Sequence, residues 1–377
     1  MGKSKLLPPN PHTFFVRKES RKQLCQKNSK FSIISEEAPY LRNFFIEHQD
    51  KKNYPAGSFG KVKKGFLHET GEPKYAIKIY QTSSRKQNDI RLALRAAYCY
   101  RLLGREAFTF RNHNKQYLVT EWLNGASLDN ADPKLLHTIP IACRIVMAIS
   151  LLRELNVFHQ LGLIHNDIKP GNVMIDKNRL SFVDLDSVRP KGKRLDNTPV
   201  IYSHRFLPNA ELSFHAFLKL PELDRMFDEQ SDIYAMGLTL IYLFPEIYQL
   251  EKKNEYINMK EFFDVPYLFK TYLRKHGPQY DHWPKLQSLL KEMVSINKSS
   301  SLTVNELIER FKNILFGCEN YHQFLKYDRP IQLSAEQIAI EGKAAYQDIE
   351  HIISEWLSND HKAAPMEPIN PGSRYKA

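Results

Sequence analysis

The pattern of apolar and polar positions changes character three times along the chain and divides it into four sections. Residues 1–48 are basic and hold only short apolar runs, Phe14-Phe15-Val16 and Phe31-Ser32-Ile33-Ile34. Residues 49–123 read as strand-rich. Two strands are predicted over 61–67 and 74–80, joined by a turn at His68-Glu69-Thr70-Gly71. A helical stretch over 84–103 follows, then a strand over 116–122. Residues 124–316 read as helical, most clearly over 135–161 and 231–244. Residues 317–377 predict one more amphipathic helix, over 334–358, and a disordered tail, PMEPINPGSRYKA. No internal repeat is visible.

Composition sharpens this picture in three ways. At 377 residues, with 42% hydrophobic and 25% charged, the chain has enough apolar material for a sizeable core and is not wholly disordered. Lys and Arg number 54 against 42 acids, a net charge of +12 that attracts polyanions without naming one. Cys25, Cys99, Cys143 and Cys318 stand far apart, with no C-x-x-C pair, which points to a reducing, cytoplasmic compartment. The longest apolar stretch, 139–164, is interrupted by Arg144, Arg153 and Glu154, so no transmembrane span is expected. The start MGKSKLLPPN lacks a signal-peptide core, and Leu6 breaks the N-myristoylation pattern.

The most specific chemistry lies in HQLGLIHNDIKPGNVMI, His159 to Ile175. It sets Asp167, Lys169 and Asn172 in one short loop. Phosphoryl transfer needs a carboxylate to orient a hydroxyl, a cation beside the moving group and oxygen ligands for a metal. This loop supplies all three. The run FVDLD then places Asp184 at the end of an apolar strand and Asp186 two residues on. Carboxylates there can clamp a metal already held by Asn172, which makes Asn172, Asp184 and Asp186 the candidate ligands of Mg²⁺ or Mn²⁺.

His165, Asp167, Lys169, Pro170 and Asn172 resemble the catalytic loop of the eukaryotic-type protein kinase superfamily, H-R-D-x-K-x-x-N. The resemblance implies a two-lobed α+β fold. A small antiparallel sheet and one helix would form the N-lobe over 49–123, and a mainly helical C-lobe would fill 124–316. It implies ATP as cosubstrate, Asp167 as catalytic base, and Asn172 and Asp184 as metal ligands. Gly57-Ser58-Phe59-Gly60 reads as the glycine-rich turn over the phosphates, and Lys78 as the strand lysine that grips them. Glu121-Trp122-Leu123 looks like the hinge that holds adenine, with Thr120 as its gatekeeper. Val62, Ala76 and Met174 resemble the apolar residues that sandwich the ring. SDIYAMGLTLIYLF resembles the buried helix of the large lobe, whose Asp232 would bond the catalytic-loop backbone.

The chain departs from that pattern at five places. Pro55 replaces the first glycine of the loop. The helix after Lys78 carries no glutamate to pair with it. Asn166 replaces the arginine that receives an activation-loop phosphate, which implies activity independent of phosphorylation at Ser187, Thr198, Tyr202 or Ser203. The metal triplet reads Asp184-Leu185-Asp186 in place of D-F-G. The A-P-E signature is absent, and so is its arginine partner, with Ser301 in that place.

The helix without the glutamate carries Arg85, Lys86, Arg91, Arg95 and Arg101. A small polyanion such as an inositol polyphosphate, bound at Arg85, Lys86, Arg91 and Arg95, would substitute for the lost ion pair. A solvated charged face is the plainer reading. Nucleic acid is not favoured, because no basic motif is interleaved with aromatics.

Three readings of the whole remain open. The first is a Ser/Thr protein kinase, favoured by Lys169 and the glycine loop. The second is a lipid or small-molecule kinase, since a basic activation segment (Arg189, Lys191, Lys193, Arg194) suits an anionic head group at a membrane surface. The third is a pseudokinase scaffold. The divergent core also resembles bacterial effector kinases, whose workplace would be the cytosol of a host cell.

Overall fold

The computed structural model describes residues 15–19, 29–34, 42–46, 56–57, 60–67, 72–80, 86–112, 115–191, 228–244, 282–295, 302–328 and 331. The helix expected over 334–358 and the tail beyond it lie outside these residues. So do Ser58, Phe59 and Arg85, the side chain of Lys86, and the activation segment after Lys191.

Eight strands form one antiparallel sheet. They are β1 (Phe15–Glu19), β2 (Ser29–Ile34), β3 (Arg42–Ile46), β4 (Ala56–Gly57), β5 (Gly60–Leu67), β6 (Pro73–Tyr80), β7 (Ala107–Asn112) and β8 (Lys115–Glu121). Their order is β1-β2-β3-β5-β6-β8-β7, with β4 pairing β5. The expected hairpin is β5–β6, and the expected strand over 116–122 is β8. Strand β7 went unpredicted, as did the three strands within residues 1–48, of which β3 pairs β5 through Phe45 opposite Phe66. Helix α1 (Lys86–Leu102) fills the stretch expected over 84–103 and packs on β7 and β8.

The single helix expected over 135–161 is in fact two, α2 (Pro133–Thr138) and α3 (Ile141–Gln160). Pro140 is the cause. A proline pushes the preceding residue out of the α region, and Ile139 sits extended at φ −78°, ψ 122°. Helix α3 is apolar on nearly all faces and is correspondingly buried. Its charged residues each have a destination. Arg144 donates to the Leu243 carbonyl (3.3 Å) and lies over the rings of Phe244 and Trp283. Glu154 meets Arg105.

The remaining described helices are α4 (Glu229–Ile241), α5 (Trp283–Val294) and α6 (Val304–Phe316). Asp228 with Ser231 and Thr303 with Glu306 form capping boxes that start α4 and α6. Three short strands, β9 (Ala126–Ser127), β11 (Val173–Asp176) and β12 (Arg179–Phe182), form a second sheet in the order β12-β11-β9. A further pair, β10 (Leu163–Ile164) and β13 (Arg189–Pro190), ties the start of the activation segment to the chain just before the catalytic loop.

Beyond α6 a 3-10 turn, Tyr321–Tyr327, packs back onto α3. Arg153 donates two hydrogen bonds to Asp328 there, Nε to Oδ1 and an Nη to Oδ2, both at 2.8 Å. This paired geometry is the strong form of a charged contact. Asp328→Ala should lower unfolding free energy by about 1 to 3 kcal/mol, read by urea denaturation. Arg153→Ala should cost a similar amount and the double variant little more, because both remove one interaction.

Candidate active site

Strand periodicity assembles the upper wall. Residues two apart share a face, so Ala76, Lys78 and Tyr80 project from one side of β6. Val62 lies opposite Lys78 on β5, and Thr120 lies opposite Ala76 on β8. The hinge begins where the Trp122 N–H donates to the Lys74 carbonyl at 2.9 Å. Lys64 Nζ sits 4.8 Å from the Trp122 ring centroid. Glu121 is exposed, while Leu123 and Met174 are half-buried. Gly57 closes β4 directly opposite Gly60, which opens β5.

The lower wall is the catalytic loop. Asp167 is buried, and its Oδ2 accepts from Lys169 Nζ at 2.7 Å and from Asn172 Nδ2 at 2.9 Å. The same Asn172 amide donates to the Asp167 carbonyl at 2.9 Å. The three residues read from the sequence as one unit therefore meet. Asp232 of α4 holds the loop from beneath. It accepts from the His165 N–H (2.7 Å) and the Asn166 N–H (2.8 Å), as expected, and its Oδ2 lies 3.1 Å from His159 Nε2. Asn166 adopts φ 71°, a left-handed conformation that Asn tolerates better than most residues. The His165 ring packs against Phe182 at 4.5 Å, and burial lowers its pKa, so the imidazole stays neutral.

The third component is the Asp184-Leu185-Asp186 turn. The Val183 N–H donates to the Asn172 carbonyl at 2.8 Å, which brings the turn against the loop. Asp184 is left-handed at φ 59°, ψ 60°, and its N–H donates to the Tyr100 hydroxyl of α1 at 2.9 Å. Strain of this kind gathers at functional sites. Leu185 is fully buried, as its apolar role requires. Ser187, one of the hydroxyls weighed for phosphorylation, is buried and donates to the His165 carbonyl at 2.8 Å.

Lys78 contacts both acids, Asp184 Oδ1 at 2.5 Å and Asp186 Oδ2 at 2.6 Å. Burial opposes its charge, but the carboxylates of Asp186 and Asp184 outweigh that and hold its pKa above the ordinary lysine value. Asp186 also accepts from the Tyr80 hydroxyl at 2.8 Å. Burial pushes the Asp186 carboxyl up to about 6, against the pull of Lys78 and with the help of Asp184.

These contacts revise the expected metal set. The Asp184 side chain is 40% exposed, whereas that of Asp186 is 2% exposed and both of its oxygens are engaged inside the protein. Asn172 and Asp184 are hard oxygen donors beside the catalytic loop and fit Mg²⁺. Asp186 does not fit that role. Tyr80 and Tyr100 were missed from sequence, because a tyrosine next to a motif carries no signal of its own.

The proposed polyanion set does not form an exposed face among the described residues. Arg95 is 2% exposed within α1, and Arg91 is half-buried. Arg85 and the side chain of Lys86 lie outside the described residues.

A comparison with known families decides the affiliation. The protein kinase domain matches residues 49–311. The chain belongs to the protein kinase family. Its relatives are distant. Serine/threonine-protein kinase PKH1 of Saccharomyces cerevisiae is 22% identical over 331 residues, covering 82% of this chain and 41% of the yeast protein. Homeodomain-interacting protein kinase 4 of Macaca fascicularis is 26% identical over 239 residues, 61% of this chain and 38% of that protein. Serine/threonine-protein kinase PknG of Mycobacterium leprae is 30% identical over 129 residues, 34% of this chain and 15% of that one. The chain thus spans less than half the length of each. The kinase domain runs from the last residues before β4 into α6, so it takes in every site residue described above. Among the described residues no helix is long and apolar enough to cross a membrane.

Proposed function

We propose that this chain transfers the γ-phosphoryl group of ATP to a hydroxyl, with a Ser or Thr side chain of a protein as acceptor. The observation that carries the reading is the meeting of Lys169 and Asn172 on Asp167 Oδ2. It leaves a fixed carboxylate able to orient an acceptor hydroxyl and take its proton. Lys169 Nζ then neutralises charge beside the transferred group. Lys78 would grip the nucleotide phosphates from the sheet. Asn172 and Asp184 would hold Mg²⁺, whose chemistry is to offset phosphate charge. The preference for a protein acceptor is supported by the names of the yeast and mycobacterial relatives, both serine/threonine-protein kinases.

The test is labelled ATP offered with protein, phosphoinositide and inositol phosphate acceptors in parallel. Label on protein Ser or Thr is expected. Label confined to lipid or inositol phosphate would overturn the acceptor, and no transfer to any of them would overturn the enzyme.

Activity should not depend on a phosphorylated activation segment. Asn166 has no guanidinium to hold a phosphate in the two-pronged manner of arginine, and Ser187 is buried. Phosphatase-treated protein is expected to keep its full rate. A large loss, reversed on rephosphorylation at Thr198, Tyr202 or Ser203, would contradict this.

A further inference from the structure

Helix α1, Lys86–Leu102, contains one acid, Asp89, and no glutamate. A lysine needed over phosphates must nevertheless be held, because a flexible four-carbon side chain loses much of its value if left to wander. Among the described residues two acids contact Lys78, Asp184 and Asp186, and of these only Asp186 is buried. Its Oδ2 receives Lys78 Nζ and its Oδ1 receives the Tyr80 hydroxyl, so its carboxylate is fixed from two sides. Tyr80 leaves the same face of β6 as Lys78, two residues on. Strand β6 thus supplies both the lysine and the tyrosine that steadies its partner.

We propose that Asp186, steadied by Tyr80, is the positioning residue that aims Lys78 at the nucleotide phosphates, in place of a helix glutamate. Asp186 does not touch the reacting atoms. It acts through Lys78, and the proposal rests on the nucleotide-binding role given to Lys78 above. Asp184 also contacts Lys78, but its exposed carboxylate belongs with Asn172. The division of labour is therefore inner acid to lysine and outer acid to metal. Helix α1 contributes the Tyr100 hydroxyl, which accepts the Asp184 N–H.

The experiment measures ADP affinity with Mg²⁺ and again in EDTA, for wild type, Asp186→Asn, Lys78→Ala and the double variant. Charged hydrogen bonds of this kind affect affinity by roughly tenfold to a hundredfold. Asp186→Asn is expected to weaken ADP by roughly tenfold in both conditions. The double variant should be no weaker than Lys78→Ala, since a residue acting through another adds nothing once that other is gone. Tyr80→Phe, a milder change, should weaken ADP several-fold in the same direction, on the order of one lost hydrogen bond. In turnover, Asp186→Asn should raise the KM for ATP and leave the KM for the acceptor unchanged.

A loss that vanishes in EDTA would make Asp186 a metal ligand and overturn the proposal. So would additive losses in the double variant, or no loss at all in Asp186→Asn with a native thermal melt. Should Asp186→Asn fail to fold, Tyr80→Phe carries the test, and unchanged ADP affinity there would overturn the proposal. Wild-type protein that binds ADP but transfers nothing would sink the functional reading alone, because the binding cycle still reads Asp186 through Lys78. Wild-type protein that binds no nucleotide would overturn both.

Discussion

Asp167→Ala should slow phosphoryl transfer by roughly 10² to 10⁴-fold, the usual value of a positioned proton acceptor. Asp184→Ala should do comparable damage for a different reason, since it removes the more exposed carboxylate beside Asn172. The two are separable by metal. Raising Mg²⁺ should recover part of the Asp184→Ala rate and none of the Asp167→Ala rate. Asp167 lies buried under Lys169 and Asn172, so its loss should also free two donors. A modest drop in melting temperature is therefore expected alongside the loss of rate. Initial rates with labelled ATP and matched purity decide the matter. Wild-type rates in both variants would remove the site assignment altogether.

Glu154→Ala should be the most destabilising single change in the described core. Glu154 is 0% exposed on α3. Its carboxylate receives both an Arg105 Nη and the Phe182 N–H, the latter at 2.9 Å, while another Arg105 Nη donates to the Phe182 carbonyl. Truncation strands a buried guanidinium and a backbone donor. Breaking such a pair by removing one partner costs about 3 to 5 kcal/mol. Glu154→Gln should cost less, because the amide oxygen still accepts from Phe182. Chemical denaturation gives both numbers. A cost under about 1 kcal/mol would mean that Arg105 finds water, contrary to its burial. Activity should fall as well, because Phe182 ends the strand that delivers Asp184 two residues later.

The sequence revealed what is local and periodic. The β5–β6 hairpin, α1, α3 and α4 follow from short-range pattern, and Asp167, Lys169 and Asn172 could be grouped because five residues of chain already place them together. Asp232 was also legible, through the resemblance that its apolar segment carries, although Glu229 stands in the same first turn. What escaped depends on distant partners. Glu154 read only as an interruption of an apolar run, and its partner Arg105, 49 residues away, carried no signal of its own. Tyr80 and Tyr100 matter through single hydroxyls aimed at a turn more than 80 residues away. Asp186 was grouped with Asp184 by adjacency, and only burial separates their roles. The break at Pro140 was readable from the proline but was overridden by the apolar run that continues through it. The strands within residues 1–48 alternate too briefly to be told from short apolar patches. Charge counts misled at α1, where Arg95 turns inward.

The contact between Arg153 and Asp328 bears on where this protein can be cut. The matched kinase span stops at 311, inside α6, which runs on to Phe316. A fragment trimmed to that span would end mid-helix and discard the Tyr321–Tyr327 turn. It would also expose the flank of α3 that the turn covers and leave the Arg153 guanidinium without its carboxylate. At the other end it would strip β1, β2 and β3 from the sheet and leave the Gly65–Leu67 end of β5, which β3 covers, as an open edge inviting aggregation. The smallest fragment that keeps these contacts therefore begins ahead of Phe15 and ends after Asp328.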